Sequence, residues 1–215
     1  MSQAMSAARA NMIESQIRCQ DVTDPRIHAA MAAVARERFV PRARLALAYA
    51  DIAVELAPGR FMLDPRSLAK ALQLAGVKAE DRVLDVGCGT GYSSAVLARL
   101  AGSVVALEQD ADMVRIASET LLESNIEVTQ GSLIEGFKMG GPYDLIFVNG
   151  AIEARPDTLL SQLAEGGRLV VFVQSGAQGR ATLFVREHGQ VGSRPGFDST
   201  VPMLAGFRKS QGFIF

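Results

Sequence analysis

Residues 83–94 read VLDVGCGTGYSS, and they bring together an acid at Asp85, glycines at Gly87, Gly89 and Gly91, and the start of a helical pattern. An apolar strand running through a glycine-rich turn into a helix is the entry turn of a nucleotide-binding βα unit. Dinucleotides, phosphates and adenosyl cofactors all use such turns, so neighbouring charges must choose among them. The spacing is G-x-G-x-G, with Tyr92 where the third glycine of G-x-G-x-x-G would fall, which counts against a dinucleotide. Asp85 lies close to where a pyrophosphate would sit, and like charges about 5 Å apart at an effective dielectric of about 20 repel by about 3 kcal/mol. An ammonium or sulfonium is attracted by the same carboxylate, and S-adenosylmethionine carries both. Glu108 ends the next strand, where a carboxylate can accept hydrogen bonds from two ribose hydroxyls or simply be a solvated strand-end acid. Together with Asp85 and the glycines it favours S-adenosylmethionine, leaving S-adenosylhomocysteine as product. Cys88, Tyr92 and Gln109 are further candidates for the cofactor site by their place in the turn and beside Glu108. No Gly-Lys-Ser/Thr follows the turn and no G-x-S-x-G occurs, so neither a P-loop nor a serine nucleophile is indicated.

The elements that must position these residues follow from pattern. From Arg82 onward, short β-branched runs (RVLDV, SVVALE, IEVTQ, YDLIFVN, RLVVFVQ) alternate with amphipathic segments such as TGYSSAVLARLAG, ADMVRIASETLLES and RPDTLLSQLAEGG. That alternation predicts an α/β fold with a doubly wound, Rossmann-like and mostly parallel sheet. Its strands should end at Asp85, Glu108, Gln130-Gly131 and Asn149-Gly150, all lining one crevice. ATLFVRE and STVPMLAGF are read as a closing antiparallel hairpin, with the glycine-rich stretch between them as its connection. Before the sheet, residues 5–47 read as helical, with Asp24-Pro25 as a helix start. Asp64-Pro65 starts another helix and Gly76 stops it. A single domain over 1–215 is expected: residues 1–76 as helical cap and acceptor loop, 77–215 as cofactor-binding core.

At 215 residues the chain can bury about 70% of its unfolded surface without a staple. A formal net charge of −1 gives no electrostatic reason to bind nucleic acid. Two distant cysteines and two histidines without ligand spacing suggest neither a disulfide framework nor a metal site, and favour a reducing cytoplasm. No apolar run of membrane-spanning length and no export signal is recognised, so no membrane association is expected.

Over roughly residues 10–207 the sequence resembles the protein-L-isoaspartate O-methyltransferases. The resemblance runs through MIESQIRCQDVTDPRIHAAMAAVARERFVP, LAYAD, VLDVGCGTGY, LLSQLAEGGRLVV and VPMLAGF. It implies a class I methyltransferase sheet, methyl transfer from S-adenosylmethionine to an isoaspartyl carboxylate, and a protein or peptide substrate. Three stretches depart from the family. Where the family typically reads G-Y-G-Q-T-I-S-Q-P, residues 57–65 read APGRFMLDP, which places Gly59, Arg60, Phe61 and Met62 as substrate-binding candidates and Leu63 and Asp64 at the acceptor loop's catalytic positions. Leu63 stands at a serine whose hydroxyl is placed to help bind or activate the acceptor, so another donor, Arg60 or Arg66, would have to take over. Asp64 is read equally as a helix N-cap. After the third strand Ser132-Leu133 replaces the family's Asp-Gly, whose aspartate contacts the adenine amino group, and weaker cofactor binding is expected. Asn149, in VNGAIEARP, faces either cofactor or acceptor, or else serves the turn at Asn149-Gly150.

Three functional readings stay open at this level: isoaspartyl methylation, methylation of a more apolar acceptor suited to Phe61, Met62 and Leu63, and a non-catalytic binding protein. For the last, the tail FRKSQGFIF could dock on another chain or on a second copy as a homodimer, or pack on its own domain.

Overall fold

Local signals fix the first third of the molecule. The computed structural model describes residues 2–208, so Phe213 and Phe215 of the aromatic tail lie outside the described residues. Helix α1 (Ser2–Met12) continues through a π turn that buries Ile13 and Ile17. Asp24 caps α2 (Pro25–Ala33) by accepting from the Arg26 amide, with Pro25 in the first turn. Two 3₁₀ turns, Arg36–Phe39 and Arg42–Leu47, follow. Residues 54–62, for which the sequence reading assigned no strand, form an antiparallel hairpin of β1 (Val54–Ala57) and β2 (Arg60–Met62). Gly59 at its turn has φ +74°, a conformation that glycine adopts without Cβ strain. Asp64 then caps α3 (Pro65–Ala75), and Gly76 closes that helix in the left-handed region.

The sheet follows: β3 (Arg82–Val86), α4 (Tyr92–Leu97), β4 (Ser103–Glu108), α5 (Ala111–Thr120), β5 (Ile126–Gln130), β6 (Tyr143–Ile152), α6 (Asp157–Leu160), β7 (Leu163–Ser175), β8 (Gln178–Glu187) and β9 (Gln190–Asp198). Strand order is β5-β4-β3-β6-β7-β8-β9, with the first five parallel and the last two antiparallel. β3 lies between β4 and β6, so the order reverses at the glycine turn, the place where open α/β sheets form their ligand crevice.

Successive residues of the central strands enter opposite cores. Val83, Val104, Ala106, Leu145 and Phe147 pack with the cap, α3 and α4, whereas Leu84, Val86, Val105, Leu107, Ile146 and Val148 pack on the other face with Leu159, Leu160, Leu204 and Phe207. Both faces being covered explains why these strands read as nearly continuous apolar runs.

Three expectations need correction, the first being the strand end at Asn149-Gly150, since β6 runs on through these residues to Ile152. β8 pairs with β9, the stretch read as a connection, because His188 and Gly189 at φ +52° and +73° make a tight turn. VPMLAGF instead returns across β6: the Ala151 amide donates to the Pro202 carbonyl and the Leu204 amide to the Ala151 carbonyl, each at 2.9 Å. RPDTLLSQLAEGG holds only the four residues of α6, because β7 starts at Leu163 and the chain bulges through Gly166, at φ +74°.

Candidate active site

At the end of β3 the chain turns through Gly87, Gly89 and Gly91, all at positive φ. The amides of Gly87 and Cys88 donate to the Leu107 carbonyl, tying the turn to β4. The sequence places Asp85 where it could attract a cofactor cation; the structure places it fully buried beneath the turn. Ser93 and Ser94 hydroxyls each donate to its Oδ2 at 2.6 Å, and the Asn149 amide group donates to its Oδ1 at 2.5 Å. Burial pushes the Asp85 carboxyl up to about 6 against the pull of those three donors. Its geometry is that of a brace joining the turn, α4 and β6, and Asn149 is part of that brace.

Glu108 is the second buried acid at this end of the sheet. Its side chain is fully buried at the end of β4, with Oε1 accepting from the amides of Gln109 at 2.8 Å and Asp110 at 3.1 Å. Oε2 accepts from the Gly89 amide at 2.9 Å and from Nη2 of Arg60, with which it forms an ion pair. Arg60 reaches it from β2 and is 7% exposed. Its Nε and Nη1 are buried and have no hydrogen-bond partner.

The chain's own side chains approach the turn closely. A Cβ at Gly87 would lie 3.0 Å from Leu204 Cδ1 and 3.5 Å from Arg60 Nη2, and one at Gly89 would lie 2.8 Å from Leu56 Cδ1. Gly87 and Gly89 therefore admit the hairpin and the returning VPMLAGF segment as well as serving the turn.

The other expected residues disperse. Tyr92 is fully buried on the cap side, its ring edge-on to Phe39 at 5.6 Å with the Arg36 guanidinium over its face at 4.7 Å. Cys88 is buried, and burial raises its thiol well above the usual range. Gln109 and Ser132 are exposed; Ser132 Oγ accepts from the Glu135 amide at 3.4 Å, a long bond that turns the loop back on itself. Leu133 is in the sheet's second core. Met62 and Leu63 are 7% and 3% exposed, so most of the loop's apolar character is spent on packing. Asp64 accepts from the Ser67 amide at 2.8 Å, which makes it the N-cap of α3. Arg66 lines a separate cavity with Arg180 and Asp198.

Arg36 is a residue that sequence reasoning passed over. It is fully buried, donating from Nε to the Ala48 carbonyl at 2.7 Å and from Nη2 to the Leu63 carbonyl at 2.5 Å. Through it the cap fixes the backbone of the acceptor loop. Its place in RERFVP offered no signal beyond a charge beside an apolar run.

Two cavities border this centre and share Gly59, Phe61, Met203 and Leu204. The outer one, about 410 Å³, opens beside Arg208; the inner one is small and is also lined by Arg60, Leu63 and Asn149. The acceptors present suit an adenosyl cofactor: Glu108 holds carboxylate oxygens at the strand end, beside the positive-φ turn of Gly87, Gly89 and Gly91. Of the four groups that donate to Glu108, Arg60 is the one on a side chain, and so the one that could give way to ribose hydroxyls without a change in the backbone. Among the described residues no group of three or more His, Cys, Asp or Glu is arranged to hold a metal.

The family model for protein-L-isoaspartate(D-aspartate) O-methyltransferase (PCMT) matches residues 7–196. The protein-L-isoaspartate O-methyltransferase of Koribacter versatilis (strain Ellin345) is 39% identical over 170 residues, 78% of this chain and 77% of the relative. That of Methylorubrum populi (strain ATCC BAA-705 / NCIMB 13946 / BJ001) is 36% identical over 204 residues, covering 93% and 96%. A solved protein-L-isoaspartate O-methyltransferase superposes with a TM-score of 0.79 at 25% identity over 92% of this chain, which spans 66% of that one. A Plasmodium falciparum chain solved with S-adenosyl-L-homocysteine shares the fold at TM-score 0.78 and 20% identity, covering 91% of this chain and 97% of that one.

Proposed function

Because the chain belongs to the protein-L-isoaspartate(D-aspartate) O-methyltransferase family, we propose that it moves the methyl group of S-adenosylmethionine to the free carboxylate of L-isoaspartyl residues in proteins or peptides. The observation that carries this reading is the buried Glu108 carboxylate at the strand-order reversal, beside the positive-φ turn of Gly87, Gly89 and Gly91. S-adenosylmethionine, when bound, supplies a methyl already activated by its sulfonium, so a carboxylate acceptor needs no strong base. The chain's own tasks are to bind, to orient and to exclude water. Glu108 would accept from the ribose hydroxyls. Asp85, with Ser93, Ser94 and Asn149, keeps the turn in shape, and Arg36 holds the backbone at Leu63. In this reading residues 1–76 serve as cap and acceptor loop, 77–215 as the cofactor-binding core, and the compartment is the cytoplasm. No helix among the described residues is long and apolar enough to cross a membrane.

The test is transfer of labelled methyl to a short isoaspartyl peptide and to its aspartyl twin at saturating cofactor. Labelling of the isoaspartyl peptide alone supports the reading. No labelling of either, with cofactor binding shown in the same sample, would assign the site to another acceptor.

A further inference from the structure

Among the described residues Arg36 and Arg60 both carry buried guanidinium nitrogens without a hydrogen-bond partner, one on Arg36 and two on Arg60, and of the two it is Arg60 that lines the inner cavity. A guanidinium carries five N–H donors in a planar fork. Here Nη2 is used on Glu108, while Nε and Nη1 are buried with no acceptor. A buried, charged donor left unsatisfied is costly, so the arrangement is short of an anion. Glu108, by contrast, is fully served: three of its four donors are backbone amides and the fourth is Arg60, the only one on a side chain that can leave. Arg60 lines the small inner cavity, which shares Gly59, Phe61, Met203 and Leu204 with the outer cavity beside Arg208. Nearby, Leu63 has no side-chain donor, Asp64 is occupied as an N-cap, and Arg66 lines a different cavity.

We propose that Arg60 serves two anions in turn: it pairs with Glu108 before the cofactor binds, and clamps the acceptor's free carboxylate once the ribose hydroxyls have taken its place. The inference rests on the cofactor and acceptor chemistry proposed above and adds the residue that selects an anionic acceptor. A carboxylate can meet two N–H groups of the fork side by side, which gives orientation as well as attraction. The order of binding follows. While Glu108 holds Arg60, the acceptor site lacks its cation; cofactor binding releases it.

The test measures binding without turnover. S-adenosylhomocysteine is titrated by calorimetry into the wild-type protein, Arg60→Gln and Arg60→Lys. Binding of a fluorescent isoaspartyl peptide is followed by anisotropy with and without S-adenosylhomocysteine, and circular dichroism checks each fold. Arg60→Gln is expected to bind S-adenosylhomocysteine several-fold more tightly and the peptide about tenfold more weakly, a change of about one decade in Kd. Arg60→Lys, which keeps the charge without the fork, is expected to fall between for the peptide. Wild-type protein should bind the peptide appreciably only with S-adenosylhomocysteine present. Unchanged or weaker S-adenosylhomocysteine binding by Arg60→Gln overturns the proposal, as does peptide affinity that ignores the substitution or no peptide binding by loaded wild-type protein. Methyl transfer is run on the same samples. Peptide binding that depends on Arg60 without transfer would count against the proposed function but keep the clamp; transfer with an Arg60-independent peptide affinity would do the reverse.

Discussion

At the scale of single residues, two buried acids at adjacent strand ends have been given opposite surroundings. Glu108 is paired with a cation, whereas Asp85 receives only neutral donors and its carboxyl rises to about 6. In the unfolded chain an aspartate releases its proton near pH 4, so between about pH 4 and pH 6 the folded state holds the proton more tightly. Asp85 therefore contributes most to stability below pH 4, and that contribution, about 3 kcal/mol, is lost as pH rises through 6. Asp85→Asn removes this dependence. Urea midpoints of the wild type and of Asp85→Asn should diverge in favour of the variant as pH climbs from 4 to 6; a constant difference would contradict the assignment. Removing Glu108 has another signature. Glu108→Ala leaves Arg60 buried without a partner and is expected to cost about 3–5 kcal/mol in chemical unfolding, besides weakening S-adenosylhomocysteine binding in calorimetry. The double variant Glu108→Gln with Arg60→Gln should recover much of that stability, since it buries no lone charge.

Among the elements, the ones legible in the sequence are those specified by their own residues. Asp24-Pro25, Asp64-Pro65 and Gly76 place helix ends where the structure has them, because caps and stops act over three or four residues. The central parallel strands β3, β4 and β6 were legible too, since burial on both faces leaves a nearly continuous apolar run. What could not be read depends on distant partners. β1 and β2 are short, and their pairing lies across an Ala-Pro-Gly turn; β9 is mostly exposed and polar, so its only strand signal is the neighbour it joins. The Arg60–Glu108 pair joins residues from separate elements, and nothing local in APGRFMLDP announces it. Asp64 shows the reverse: its position suggested chemistry, but its carboxylate is engaged by the first turn of α3. Asp64→Ala is expected to destabilise the protein by about 1 kcal/mol and Asp64→Asn by much less, as thermal unfolding would show. Equal losses for both would point to a role for the charge itself.

Over the whole molecule, the cap is tied to the core by buried polar contacts as well as by packing. Arg36 bonds the Ala48 and Leu63 carbonyls, Thr90 Oγ1 donates to the Phe39 carbonyl at 2.5 Å, and the Phe39 and Tyr92 rings meet edge to face. Arg36→Met fills most of the volume but strips two buried carbonyls of their donor. A loss of about 2–4 kcal/mol is expected in urea unfolding, with greater protease access at residues 48–63. Unchanged cleavage there would mean that packing alone holds the loop. The returning segment around Leu204 has a different reach. It lies against Gly87, a residue made far earlier, and hydrogen-bonds to Ala151 in β6. During synthesis the glycine turn therefore leaves the ribosome long before its cover does. A nascent chain halted short of Leu204 presents the apolar face of Val86 and Val148 without that cover, and only further elongation completes both the core and the site.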